Sequence, residues 1–299
     1  MKNIFNRFKL NFRTICKQTG ILTALFYSFL GLISTWCSLG DLIPSELTSC
    51  QKVLASVIIL ISIMIACFIG SLIYVMNSTK VKVVTSRNGH SVWLHYGDMY
   101  SSDIVKKGYQ DRINIVIPVN RCFDTIVDND LVSENSNHGR AMKKLYDQGY
   151  NETSLNIELQ QMLANCNYEP EQILTVQEKR KGNLKRYPVG TVAELEVSDK
   201  LTYFLLGISK FDQYLKASTS RIEFVESVQK LIEFCDTRSQ GFPVVLPLLG
   251  TGLSRANISK QEALDYLVSA FKMNENIINC DFHIVVWTGD KDTVTIRNV

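Results

Sequence analysis

From Val53 to Met76 the chain reads VLASVIILISIMIACFIGSLIYVM, without a charged residue. As a helix this run covers roughly 36 Å at about 1.5 Å per residue, enough to cross a hydrocarbon layer of about 30 Å. A second uncharged run, Ile21 to Gly40, is richer in Ser, Thr and Gly. The pattern therefore predicts two membrane-spanning helices, at about 20–40 and 53–76, joined by a short turn. Trp36 and Tyr74 fall where aromatic side chains anchor at a membrane boundary. Residues 1–79 are thus expected to form a membrane anchor and 80–299 a separate domain.

Past residue 79 the period of the pattern changes. Lys80 to Thr85 and Ser91 to Tyr96 read as strands around an Arg87-Asn88-Gly89 turn, because β-branched and aromatic residues dominate both. A short helix is expected over Ser101 to Lys107. Arg112 to Val119 is nearly continuous in apolar residues, as a strand buried on both faces requires. A polar stretch from Asn120 to His138 follows, ending at a glycine that opens a helical pattern over Arg140 to Tyr146. A long loop that delivers a helix N-terminus makes a natural anion site. Thr191 to Val197 and Leu201 to Ser209 read as strands. Arg221 to Cys235 reads as an amphipathic helix with Ile222, Val225, Val228, Leu231, Ile232 and Cys235 on one face. Val244 to Leu248 is another buried strand. Ser259, with Glu262 three positions on, caps a helix running through Phe271, and Phe282 to Trp287 is a last apolar strand. Strands alternating with helices imply an α/β class: two N-terminal transmembrane helices followed by a three-layer α/β/α domain, with ligands at the loops leaving the strand carboxyl ends.

Charge orients the anchor. Lys2, Arg7, Lys9, Arg13 and Lys17 precede the first span and Lys80, Lys82 and Arg87 follow the second, whereas the connection from Asp41 to Lys52 holds two acids and one lysine. The positive-inside rule then puts both termini in the cytoplasm. A cleaved signal peptide or lipoprotein leader, which Leu47-Thr48-Ser49-Cys50 imitates, does not fit. The apolar run is too long and too far from that cysteine, and a second span follows it. From Asn77 onward there are 26 Lys and Arg against 27 Asp and Glu, a balance that argues against a nucleic-acid binder. The eight cysteines form no CxxC pair and no metal-ligand spacing with histidine, so reduced thiols and no metal are expected. Lys179-Arg180-Lys181 with Lys185-Arg186 reads as a solvated hairpin rather than a phosphate or lipid contact.

One segment points to chemistry. Val244 to Leu253, VVLPLLGTGL, puts Gly250-Thr251-Gly252 at the end of a buried strand, where missing side chains let backbone N–H groups approach a phosphate. A tight strand-to-helix turn needs glycine for its backbone angles alone, so the motif by itself leaves both readings open.

The order of segments resembles that of the macro domain, a family that binds ADP-ribose and related nucleotides. Val92 to Met99 is similar to the family's opening strand and Gly-Asp-Ile/Leu turn. Ile115 to Asn120 sits where the family has a strand ending in Asn-Ala-Ala-Asn. Tyr187 to Ala193 followed by Tyr203 to Gly207 looks like its paired strands beginning Pro-x-Gly-x-Ala, and Pro247 to Gly252 is similar to its phosphate loop. The resemblance covers Val81 to Val299. It implies that Asp98, with Met99 beside it, accepts from the adenine amino group. It further implies that Gly250, Thr251, Gly252 and the following Leu253 and Ser254 surround the diphosphate and ribose, and that Asn120 lies near the distal ribose. Two departures stand out: Ile117 replaces the first Asn, and the usual glycine run becomes the longer loop from Arg121 to Gly139, with His138 and Gly139 at its end. Ser254 also stands where an aromatic residue often packs. These changes imply a ligand that is bound rather than cut, and one larger at its distal end than ADP-ribose.

A macro domain behind a two-helix anchor resembles the membrane effectors of bacterial Thoeris-type antiphage systems. That resemblance implies no cofactor. It implies an ADP-ribose derivative as ligand, a histidine conjugate made by an NAD-consuming TIR-domain partner, and an inner-membrane protein that oligomerises, meets lipid and disrupts the membrane in abortive infection. Ser28, Gly31, Ser34, Thr35 and Ser38 on the first span, and Ser62, Ala66 and Gly70 on the second, would let helices approach closely within one hairpin or between copies. A membrane-tethered ADP-ribosyl hydrolase and a passive tether for a nucleotide-binding domain are the alternatives.

Overall fold

The computed structural model describes residues 2–36, 48–105, 112–250 and 258–297. The chain divides into two compact units, Met1–Thr79 and Lys80–Arg297. In the first, α1 spans Lys2–Ser34 and α2 spans Ser49–Asn77, and both are long and apolar enough to cross a membrane. The basic N-terminal segment is itself helical and continuous with the first span, because nothing from Lys2 to Thr19 breaks a helix. Lys52, expected in the connecting turn, lies in the first turn of α2, whose start is fixed by reciprocal hydrogen bonds between Thr48 and Gln51. The expected end of the first span at Gly40, including Ser38, and the acidic turn at Asp41 and Glu46 fall outside the described residues. The helices run antiparallel. Arg7 Nη2 donates to the Met76 carbonyl at 2.8 Å, and the Tyr27 hydroxyl to the Leu60 carbonyl at 2.8 Å. Large apolar side chains such as Leu25, Phe29, Leu54 and Ile73 stand exposed on both helices, as in helices whose surroundings are lipid.

The second unit is built on strands β1 (Lys80–Thr85), β2 (Ser91–Gly97), β3 (Ile113–Asn120), β4 (Gln172–Ile173), β5 (Lys185–Arg186), β6 (Val192–Ser198), β7 (Leu201–Phe211), β8 (Ala217–Ser218), β9 (Val244–Pro247) and β10 (Phe282–Trp287). The main sheet has the order β1-β2-β10-β9-β3-β7-β6, with β8 added to β7. Its five central strands are parallel, and the edges β1 and β6 are antiparallel to their neighbours. Alternation along β3 shows why the sheet is covered twice. Val116 faces a core shared with α5 (Arg221–Arg238) and α6 (Lys260–Met273), whereas Ile115 and Ile117 face a core shared with α3 (Asn137–Tyr146) and α4 (Glu152–Asn165). The result is the expected three-layer α/β/α arrangement.

Four expectations change. Residues 101–105 form turns rather than a helix, since Ser101 N bonds back to the Asp98 carbonyl and the Ser101 hydroxyl takes the Asp103 N–H; Lys107 is outside the described residues. Helix α4 was not anticipated, although Asn151 and Ser154 cap it reciprocally and Leu155, Leu159 and Leu163 form its buried stripe. On α5 the buried face starts at Phe224 and continues through Val228, Leu231, Ile232 and Cys235, while Ile222 and Val225 point outward. Helix α3 begins at Asn137 behind a Ser136 cap, so His138 and Gly139 belong to its first turn instead of the loop.

Candidate functional site

All five parallel strands deliver their carboxyl ends to one edge of the sheet, where open α/β sheets bind ligands. A cleft of about 820 Å³ lies there, along the ends of β10, β9, β3 and β7 at Val285, Pro247, Asn120 and Ser209. Residues from 129 to 138 and from 211 to 217 build much of the remaining wall, with Gly250, Lys260, Trp287 and Asp290 completing it. Such a volume suits a small-molecule site.

Of the residues singled out in the sequence, Asn120, His138 and Gly250 line this cleft. Gly250 has φ +75°, a conformation that favours glycine, and it ends the described part of the turn. Thr251, Gly252, Leu253 and Ser254 lie outside the described residues. Asn120 is buried at the last position of β3, and its Oδ1 accepts from Cys122 N at 3.0 Å. That bond leaves Nδ2 without a hydrogen bond of normal geometry, although the amide lies close enough to Asp124 to help hold that carboxyl ionised. A buried donor left open beside a cleft is a group that a ligand can satisfy.

His138 is buried and donates to the Asp124 carbonyl; burial depresses its pKa to about 4, so the ring is neutral near pH 7. Ser136 accepts from Gly139 N at 2.9 Å. The N-terminus of α3, expected to attract an anion, is thus partly satisfied by its own cap. Gly139 itself is required by close approach, since a Cβ there would run into the backbone of Ser133 and Glu134.

Asp98 and Met99 take other positions. Met99 is buried in the core between the sheet and α3. Asp98 is part of a latch at the end of β2: its Oδ2 accepts from Arg140 Nη2 at 2.5 Å and its Oδ1 from Tyr100 N at 3.1 Å. The Arg140 guanidinium lies over the Tyr100 ring at 4.6 Å, and the Tyr100 hydroxyl donates to the Asn137 carbonyl. Partial burial works against ionisation of Asp98, but the Arg140 and Tyr100 donors outweigh it and hold its pKa below the usual carboxylate range.

The basic run read as a solvated hairpin does something else. Lys179 is fully buried and sits 2.9 Å from the Asp124 carboxylate, which also accepts from Asn183 N at 2.6 Å. Burial raises the Asp124 pKa against the pull of Lys179 and Asn183. Arg180 pairs with Asp130 at 2.6 Å, and Lys181 pairs with Asp128. Three cations therefore fasten the loop that replaces the glycine run. Their signal in the sequence was the matching series Asp124, Asp128 and Asp130, which pattern alone does not pair. Sequence reasoning also missed the exposed Tyr214 and Trp287 at the cleft. Elsewhere in the sheet, His95 and His283 share a hydrogen bond at 2.9 Å, buried on adjacent strands. Among the described residues no group of three His, Cys, Asp or Glu could hold a metal ion.

The family model described as "Thoeris protein ThsA, Macro domain" matches residues 95–287. A Thoeris protein ThsA of Bacillus amyloliquefaciens (strain Y2) is 23% identical over 246 residues, covering 81% of this chain and 74% of that protein. Among solved structures, the Oceanobacillus iheyensis macrodomain with MES bound aligns at a TM-score of 0.43 and 12% identity, over 71% of this chain and 90% of that one. The same macrodomain with ADP aligns at a TM-score of 0.43 and 12% identity, over 72% and 91%.

Proposed function

This chain belongs to the Thoeris protein ThsA macro-domain family, and on that premise we propose that its cleft binds an ADP-ribose-type nucleotide as a signal in antiphage defence. The observation that carries the reading is the coincidence of the family match with a cleft at the strand carboxyl ends, lined by the buried Asn120 amide and by Gly250, which turns at φ +75° where the resemblance expects a phosphate loop to begin. The ligand is an ADP-ribose conjugate, of which a histidine conjugate made from NAD by a TIR-domain enzyme is the leading candidate. No resident cofactor is required.

The protein is a two-pass protein of the bacterial inner membrane with both termini in the cytoplasm, supported by two helices of spanning length and by basic residues at both outer ends. Two helices cannot enclose a pore. Ligand binding therefore acts by gathering several copies, whose hairpins together disrupt the bilayer. The domain senses without cutting, since Ile117 replaces an asparagine of the hydrolytic pattern and loop 121–139 replaces the glycine run.

Calorimetry on the detergent-solubilised protein tests the core of this reading. ADP-ribose should bind, and Asn120→Ala should weaken it about five- to tenfold, the worth of one hydrogen bond to a buried group. Failure of both ADP-ribose and its histidine conjugate to bind would sink the sensor. Release of free ADP-ribose from ADP-ribosylated protein would instead establish the membrane-tethered hydrolase.

A further inference from the structure

The β1–β2 ribbon differs in charge from everything that follows it. From Lys80 to Gly97 it holds Lys80, Lys82 and Arg87 and no Asp or Glu, whereas residues 98–299 hold 23 Lys and Arg against 27 Asp and Glu. Arg87, on the turn, is answered by Glu275 at 3.4 Å. The two lysines have a different neighbour. Lys82 stands in register with Trp93 and Lys80 with His95. Both therefore rise on the face of the ribbon opposite to Val92 and Leu94, which belong to the core shared with α5 and α6. On that face the two ammoniums gather over one indole. Lys80 Nζ lies 4.1 Å and Lys82 Nζ 5.8 Å from the centroid of the half-buried Trp93 ring. Lys82 is exposed and pairs with no carboxylate among the described residues. The ring thus holds two long, flexible cations together at the surface.

Chain length gives this face a partner. Helix α2 ends at Asn77 and β1 begins at Lys80, and three residues reach at most about 11 Å. Where α2 leaves the hydrocarbon, Lys80 is therefore held close to the screening length of about 8–10 Å in physiological salt. The same end of β1 is the cleft end of the sheet. Strand β1 runs antiparallel to β2, so Lys80, His95 and Val285 lie level on adjacent strands, and Val285 lines the cleft. Two strand spacings, about 10 Å, separate Lys80 from Val285.

We propose that Lys80, Lys82 and Trp93 form a platform that docks on anionic phospholipid headgroups and so turns the cleft edge of the sheet toward the bilayer. This rests on the reading of the chain as a two-pass protein with residues 80–299 on the cytoplasmic side. Indole rings settle at the level of the headgroups, and each lysine near an anionic surface strengthens binding about fivefold. Contacts of that size do not keep a free domain on a membrane, but they orient one that is already tethered there. The excess of acid in residues 98–299 works in the same direction, since an anionic leaflet repels it.

The full-length protein in nanodiscs tests the platform, with lipids spin-labelled at the headgroup as quenchers of tryptophan emission. The difference between the parent and Trp93→Phe isolates Trp93 from Trp36 and Trp287. Trp93 should be quenched at least about twofold more strongly in equimolar phosphatidylglycerol and phosphatidylcholine than in phosphatidylcholine alone. Salt near 1 M, which cuts the screening length to about 3 Å, should erase that difference. Lys80→Gln with Lys82→Gln should erase it too, with the melting temperature in detergent unchanged, whereas Lys80→Arg with Lys82→Arg should keep it. Should the glutamine variant unfold, the lipid and salt dependence of the parent still decides. Trp93 emission quenched alike in both lipids, or not at all, would overturn the platform. Alkaline carbonate extraction separates this from the underlying reading: a chain that resists extraction while Trp93 ignores lipid charge loses only the platform. A chain that carbonate releases loses the two-pass reading and the platform with it.

Discussion

Removing Lys179 would strand the Asp124 carboxylate, which is 1% exposed. Breaking a buried pair from one side costs about 3–5 kcal/mol because an uncompensated charge stays buried. Lys179→Met should therefore lower the melting temperature sharply, and Asp124→Asn combined with Lys179→Met should recover most of the loss, since the amide still accepts from Asn183 N. Equal loss in the single and double variants would show that the charges do not matter. His138 gives a pH dependence of definite sign. Its pKa is about 4 in the folded chain against about 6.5 unfolded, so the unfolded state binds more protons between those values. The contribution of neutral His138 is complete above about pH 6.5 and is lost as pH falls toward 4, at no more than about 1.4 kcal/mol per pH unit. Burial depresses His95 and His283 as well, so they add the same sign. Thermal melts of His138→Gln between pH 7 and 5 should show a shallower decline than the parent. At this scale the sequence was only half legible. Gly250 stood out as a candidate by its place after an apolar strand and Asn120 only through the family resemblance, but which carboxylate each cation meets depends on folding 50 to 55 residues of chain back onto itself, and no local pattern encodes that.

Elements are where pattern served best. Strand β10 was readable to the residue and β3 to within one, because strands buried on both faces must be apolar throughout. Helix α4 escaped because its buried stripe is thin, three leucines four residues apart, with Ile157 and Met162 falling off it among polar residues. The face of α5 was misjudged because Ile222 and Val225 obey helical spacing without being buried; periodicity cannot tell which of two overlapping stripes meets the sheet. Caps make a sharper test. Ser259 accepts from Glu262 N at 3.2 Å and Glu262 Oε2 accepts from Ser259 N at 2.8 Å, so Ser259→Ala should cost about 1 kcal/mol. Ser136→Ala should cost a similar amount at α3, and should also weaken ADP-ribose binding because that cap lines the cleft. Comparing calorimetric affinity with the melting temperature for both variants separates the roles: only the Ser136 variant should move both.

For the whole molecule, the division near Thr79 predicts that residues 80–299, expressed alone, will remain in the soluble fraction and bind ADP-ribose with the affinity of the full chain. Membrane fractionation and calorimetry check this, and a fragment that aggregates or loses binding would mean that the hairpin is needed to complete the domain. The hairpin itself carries a mismatch. Because Arg7 reaches the Met76 carbonyl, the exposed Lys9, Arg13 and Lys17 stand beside the final apolar turns of α2, where Ile69 and Ile73 are exposed. From Arg7 to Lys17 is about 15 Å along the axis. On the two-pass reading, a bilayer meeting this hairpin has to offer headgroups to one helix and hydrocarbon to the other at the same depth, and it does so by thinning locally. Deformation of that kind is shared when dented patches overlap, so lipid itself would draw copies of the hairpin together, with assembly driven as much by the membrane's elasticity as by contacts between proteins.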